Sequence, residues 1–211
     1  MTVVAALRSA DPECFLLAAD SQATDAVMKT FESKLVKLSS VPLGLGVAGQ
    51  SAISQEMADW LEAYPWERAS WAALKHDAEE QLAKLNGKWR RLQRLSGKKP
   101  DPLDTTSALL VGYIAGEGRI LKLTDRGPGE YVDQHPFAAI GSGEFHATVA
   151  YRTLVEFLRR NGQPFPRDKD GLAFVVSIAI NMDPKCGGQI RIIEVLAKPH
   201  GSENSDSDPA S

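Results

Sequence analysis

The chain of 211 residues has two cysteines, Cys14 and Cys186, far apart in sequence and unaccompanied. That argues against a disulfide framework and against a Cys-based zinc site. Its four histidines (76, 135, 146 and 200) show no metal-ligand spacing, so no metal or cofactor is expected. No apolar run approaches the length of a membrane span, and Asp11 interrupts the first apolar stretch too early for a signal peptide. The net charge of −3 gives no electrostatic reason to expect a nucleic-acid or membrane partner. With 43% hydrophobic and 24% charged residues, the composition is that of a soluble globular protein. The cytoplasm is the expected compartment.

What is present alternates between strand-like and helix-like runs. Residues 2–7 and 14–19 are apolar and flank the turn signal Ser9-Ala10-Asp11-Pro12, so they read as a hairpin feeding a core. Strand patterns recur at 34–38, 45–48, 105–112, 113–123 (a hairpin turning at Gly116-Glu117-Gly118), 136–140 and 189–196. Helical patterns cover 51–63, 66–95, 145–158 and 168–181. The basic residues Lys88, Arg90, Arg91, Arg94, Lys98 and Lys99 read as a solvated helix face. The segregated order of strands, two helices, strands, two helices and a strand predicts α+β rather than alternating βαβ. Two antiparallel sheets face to face, with a helix pair on each outer side, fit that order. One domain is expected over residues 2–199, with a helical insert at about 66–102 and a disordered polar tail at 200–211.

The chemistry begins at the front. Cleavage of Met1 makes Thr2 the terminal residue, with a hydroxyl and a free α-amine on one carbon. Such a pair is a nucleophile with its own base, and an amine pKa of roughly 7.7–8.0 suits proton transfer near neutrality. Many chains begin Met-Thr with no such role, so the pair gains meaning only from its surroundings. Asp20 closes the second strand and Lys34 opens the third. Ala48-Gly49-Gln50 precedes a helix N-terminus, whose outward N–H groups suit an oxyanion. Gly141-Ser142-Gly143 and Asp183-Pro184-Lys185-Cys186-Gly187-Gly188 are two further polar turns at strand ends.

In this order and spacing, Thr2-Val3-Val4, Ala19-Asp20-Ser21-Gln22-Ala23-Thr24, Lys34-Leu35-Val36-Lys37-Leu38, Ala48-Gly49, Ala139-Ile140-Gly141-Ser142-Gly143 and Asp183-x-x-Cys186-Gly187-Gly188 resemble the proteasome β-subunit family. That family includes the bacterial HslV-type peptidase and belongs to the N-terminal-nucleophile (Ntn) hydrolases. The resemblance spans roughly residues 2–196 and implies a four-layer αββα sandwich. It also implies stacked homo-oligomeric rings and threonine endopeptidase activity on unfolded polypeptide, with an AAA+ ATPase unfoldase as a further partner.

Residue by residue, the resemblance makes Thr2 the nucleophile, Lys34 the active-site cation, Asp20 its acidic partner and Gly49 N–H the oxyanion donor. Ser142, Asp183 and Cys186 become polar support around the terminus. The backbones of Thr24, Gly49 and Ser51 would bind substrate as an added strand. Ala23 and Val47, with Glu32, would line the pocket for the residue before the cut. Cys186 departs from the family serine, and a thiol is the weaker hydrogen-bond partner. No longer propeptide precedes Thr2 in this sequence.

Taken singly, each residue has a plainer reading. Asp20 could cap a turn, Ser142 could be a helix N-cap, Asp183 a turn opener and Cys186 a small core residue. Two other functions stay open: a catalytically silent ring scaffold, or an Ntn amidase acting on a small amide. Retention of Thr2, Asp20 and Lys34 together favours the peptidase over the scaffold. The helix face with Ile53, Met57 and Trp60 is a candidate ring contact.

Overall fold

The computed structural model describes residues 2–24, 29–31, 34–97, 99, 106–124, 127–132 and 135–197, and for 22–24 and 29–31 the backbone alone. The strands are β1 (Val3–Arg8), β2 (Cys14–Asp20), β3 (Gln22–Thr24), β4 (Lys29–Phe31), β5 (Leu35–Lys37), β6 (Leu43–Ala48), β7 (Ser107–Ile114), β8 (Glu117–Thr124), β9 (Gly127–Tyr131), β10 (Phe137–Gly141) and β11 (Ile190–Leu196). The helices are α1 (Ser51–Glu62), α2 (Trp71–Leu95), α3 (Glu144–Arg160) and α4 (Lys169–Met182). One sheet runs β10-β1-β2-β11, the other β5-β6-β7-β8-β9, and β3-β4 form a small ribbon. Every pairing is antiparallel.

The alternation of side chains along each strand builds the layers. On β1, Val3, Ala5 and Leu7 face α3 and α4, while Val4 and Ala6 enter the space between the sheets. On β6, Leu43, Leu45 and Val47 pack under α1 and α2, leaving Gly44, Gly46 and Ala48 toward the first sheet. Both faces of the central strands are therefore covered, which is why they are apolar throughout. The result is the expected four-layer αββα sandwich.

The two glycines on β6 set the distance between the sheets. A Cβ on Gly46 would stand 2.5 Å from Val4 Cγ1, and one on Gly44 2.7 Å from Val195 Cγ2. Only hydrogen fits at these positions, so the sheets close tightly at the level of Val4, two residues from Thr2.

Three sequence expectations change. The helix expected over 66–95 is divided: Trp66–Arg68 form one 3-10 turn, and Ser70 caps α2 by accepting the Ala73 amide at 3.2 Å. The α1 face with Ile53 and Met57 is not a free ring contact. Both side chains lie in the core against α2 and the second sheet (3% and 0% exposed), with Trp60 half-buried beside them. Strands β3, β4 and β9 were not anticipated as strands. Within the stretch expected as an insert, Trp71, Leu74, Ala78, Leu82 and Leu85 of α2 belong to the same core. The expected disordered tail lies outside the described residues.

Candidate active site

The antiparallel hairpin β1–β2 pairs Val4 with Ala19, which brings the start of β1 level with Asp20 at the end of β2. Asp20 is 1% exposed and surrounded by donors. Its Oδ1 accepts the Val3 amide and Lys34 Nζ, each at 2.9 Å, and also the Thr2 hydroxyl. Its Oδ2 accepts the Gly187 amide at 3.0 Å. A buried carboxylate needs this density of donors to offset lost hydration.

Lys34 comes from the other sheet. It precedes β5, and its carbonyl accepts the Val47 amide at 3.0 Å, which anchors its backbone beside β6. The close sheet packing at Gly46 lets the side chain cross to the first sheet. There Nζ donates to Thr2 Oγ1 as well as to Asp20 Oδ1. Thr2 Oγ1, Lys34 Nζ and Asp20 Oδ1 thus form a closed polar triangle in which Thr2 is 3% exposed. A cation touching a hydroxyl oxygen favours any negative charge that develops on that oxygen.

A second cluster supports the Thr2 backbone. The Gly143 amide and Ser142 Oγ reach the Thr2 carbonyl at 3.4 and 3.5 Å. Ser142 Oγ lies 3.7 Å from Cys186 Sγ, and the thiol donates to Asp183 Oδ2 at 3.4 Å. Burial pushes the Asp183 carboxyl up, but hydrogen bonds from Ser142, the Lys185 amide and Cys186, with the Lys185 charge, outweigh it and hold it below its ordinary value. The Cys186 thiol is pushed up to about 12, chiefly by burial, with Asp20 and Asp183 adding to the effect against Ser142. It is a neutral donor here. Ser142 is not the helix cap; Gly143 holds the N-cap position of α3, with no side-chain cap.

Gly49 follows β6 with φ of 134° and is exposed. Gln50 follows as the α1 N-cap, its amide donating to the buried Thr106 hydroxyl at 3.3 Å. Ser51 opens α1 and is exposed. Val47 is 4% exposed and packs in the core under α1. Ala23 and Thr24 lie on β3, where the backbone alone is described, and Glu32 lies outside the described residues.

Three contacts had no signal in the sequence: the Gly187 amide on Asp20, Thr106 beneath Gln50, and the ion pair of Lys122 on β8 with Glu144 in the first turn of α3 (2.5 Å). Each joins residues many positions apart with no spacing rule to link them. Among the described residues no group of His, Cys, Asp and Glu is arranged to hold a metal ion, and no helix is long and apolar enough to cross a membrane. A separate pocket of about 470 Å³, lined by Pro12, Pro42, Trp66 and Tyr113 among others, sits at the opposite ends of these strands from Thr2.

No family model and no curated protein matches the sequence. Solved structures do match by shape. A eukaryotic HslV from Trypanosoma brucei aligns over 92% of this chain and 99% of its own, with 18% identity and a TM-score of 0.61. Anbu (ancestral beta-subunit) from Yersinia bercovieri aligns over 92% and 82%, with 16% identity and a TM-score of 0.69. The Thiobacillus denitrificans protein BPH aligns over 94% and 100%, with 13% identity and a TM-score of 0.60, and has also been solved in complex with epoxomicin. At these identities the likeness speaks for architecture, and the chain has the fold of the proteasome-like Ntn hydrolases.

Proposed function

We propose that this chain, once processed to Thr2, is a threonine endopeptidase subunit of a self-associating, proteasome-like ring that cleaves unfolded polypeptide. The observation that carries the reading is the triangle of Thr2 Oγ1, Lys34 Nζ and Asp20 Oδ1. The nitrogen of Thr2 is an amide until Met1 is cleaved, and afterwards a base of near-neutral pKa on the same residue as the nucleophile.

The α-amine takes the Thr2 hydroxyl proton as Oγ1 attacks the scissile carbonyl carbon. Lys34 stabilises the charge developing at Oγ1, while Asp20 holds Lys34 in place. The carbonyl oxygen, now an oxyanion, is met by the Gly49 N–H. Collapse of the tetrahedral intermediate breaks the C–N bond, and the ammonium returns its proton to the departing amine. Water, deprotonated by the same amine, then cleaves the resulting ester and restores the hydroxyl. Ser142, Asp183 and Cys186 act through the Thr2 backbone and are positioning residues. Substrate adds as a strand beside the backbones of Thr24, Gly49 and Ser51, with Ala23 at the pocket for the residue before the cut; Val47, packed in the core under α1, is not part of that wall. An ATPase unfoldase would supply extended chains to such a site.

Intact mass with and without an epoxyketone tests this, since that warhead needs both a hydroxyl and a free amine on one residue. The expected result is loss of Met1 and one adduct, absent in Thr2→Ala, which also loses peptide hydrolysis while keeping its assembly. Peptide hydrolysis retained by Thr2→Ala would overturn the mechanism. Loss of Met1 without an adduct or any peptide turnover would indicate a scaffold subunit, and turnover of small amides alone an Ntn amidase.

A further inference from the structure

The last turns of α2 combine position, charge and exposure in a way the candidate site does not use. Between Gln81 and Pro100 the sequence has seven Lys and Arg and no Asp or Glu, leaving 17 basic against 27 acidic residues elsewhere. The segment is therefore net positive in a protein whose remainder is net acidic.

Two contacts show where that segment lies. Tyr64, just past the C-terminal end of α1, donates to Asp77 Oδ2 at 2.7 Å, and Glu56 in the second turn of α1 pairs with Lys88 at 2.8 Å. As α1 is followed backwards, α2 is followed forwards, so the helices are antiparallel. At about 1.5 Å of rise per residue, Ser51 at the α1 N-terminus lies level with the α2 turn that holds Leu92 and Arg94. The end of α2 therefore stands at the Gly49 end of the sandwich, over the sheet that carries Lys34. Its side chains have left the core by then: Arg91 and Arg94 are exposed, with Leu92 (48% exposed) and Leu95 (74% exposed) between and beside them. Lys88 is engaged with Glu56, which steadies this part of the helix on α1.

We propose that the Arg91–Leu95 surface of α2 is an accessory docking site for acidic segments of polypeptide substrate, holding them at the end of the sandwich where Thr2 lies. The proposal rests on the peptidase reading for its purpose. Charge complementarity selects the occupant: guanidinium groups attract and hydrogen-bond carboxylates, and the exposed leucines give apolar area to flexible chain between the acids. An extended polypeptide is favoured over nucleic acid because the polar cluster at the same end is built around Thr2, not around phosphate-binding groups.

The test uses the full chain as Thr2→Ala, so that binding is read without turnover. A fluorescein-labelled, unstructured Glu-rich peptide is titrated by anisotropy beside its Gln-for-Glu counterpart, at low and high salt. The expected result is salt-sensitive binding of the Glu peptide alone, weakened about fivefold in Arg91→Gln/Arg94→Gln and unchanged in Arg152→Gln on α3. Equal binding of both peptides, no loss in the double variant, the same loss in Arg152→Gln, or tighter binding of a single-stranded DNA of equal charge would overturn it. The peptidase reading is scored separately: with Thr2 intact, the double variant should raise KM for acid-flanked peptides and leave kcat and short neutral substrates unchanged. Docking without any turnover would retain the surface and remove the peptidase.

Discussion

Asp20 and Gly187, 167 positions apart, are joined by one hydrogen bond of 3.0 Å from the Gly187 amide to Asp20 Oδ2. The other oxygen of the same carboxylate serves Val3, Thr2 and Lys34. The end of β2 is thereby tied at once to β1, to the turn before β11 and to the opposite sheet.

Because every partner of Asp20 is a donor, Asp20→Asn should be far from conservative. Its new NH2 must face a donor, and Lys34 loses its counter-charge in a partly buried place. Denaturant unfolding is expected to show a loss of about 3–5 kcal/mol, with Lys34→Met/Asp20→Asn recovering part of it. A loss within experimental error would mean that the carboxylate is not the hub described.

Alkaline pH should destabilise the fold through groups whose pKa rises on folding. Cys186 goes from an ordinary 9.0 to about 12, and Tyr64 and Tyr113 from 10.0 to about 12, in each case chiefly by burial. A raised pKa contributes stability fully below the unfolded value and loses it as pH climbs toward the folded one. The thermal midpoint should therefore fall above pH 9, and Cys186→Ser should flatten the fall between 9.0 and 10.0. In the native state at pH 8 the thiol should react with iodoacetamide far more slowly than in urea.

Gly141 and Gly162 both have positive φ, 93° and 69°, but only one is crowded. A Cβ at Gly141 would stand 2.1 Å from the Thr2 carbonyl oxygen, whereas nothing lies within 4 Å at Gly162. Gly162→Ala should cost about 1 kcal/mol, from backbone strain alone. Gly141→Ala should cost well beyond that and abolish epoxyketone labelling of Thr2. Equal effects of the two substitutions would argue against the close approach.

The sequence made the layers legible where burial is two-sided. Val3–Leu7 and Phe15–Ala19 are apolar at every position, a pattern that an interior strand produces. It concealed β9 because Gly127-Pro128-Gly129 reads as a turn. As the edge strand of its sheet, β9 tolerates a proline that a central strand would not. It concealed β3 and β4 because they form a separate two-stranded ribbon with no long apolar run. The apolar stripe on α1 was visible, but a stripe does not say whether its partner is α2 or another subunit. Thr2, Asp20 and Lys34 were locatable through their joint order and spacing at strand ends, which is what resembles the proteasome β-subunit family. The Gly187 amide was not, since a backbone donor leaves no mark in the amino-acid alphabet.

Chain ends ordinarily fray, but β1 is flanked by β10 on one side and β2 on the other. Its first residues are held on both sides, as in an interior strand, and Thr2 stands directly before them. In the proposed mechanism one variable of the site is covalent. A residue attached to the Thr2 nitrogen turns the base into an amide, and its removal cannot be reversed by any shift in conformation. Such a site runs as a one-way timer, set by the history of the chain and not by its shape.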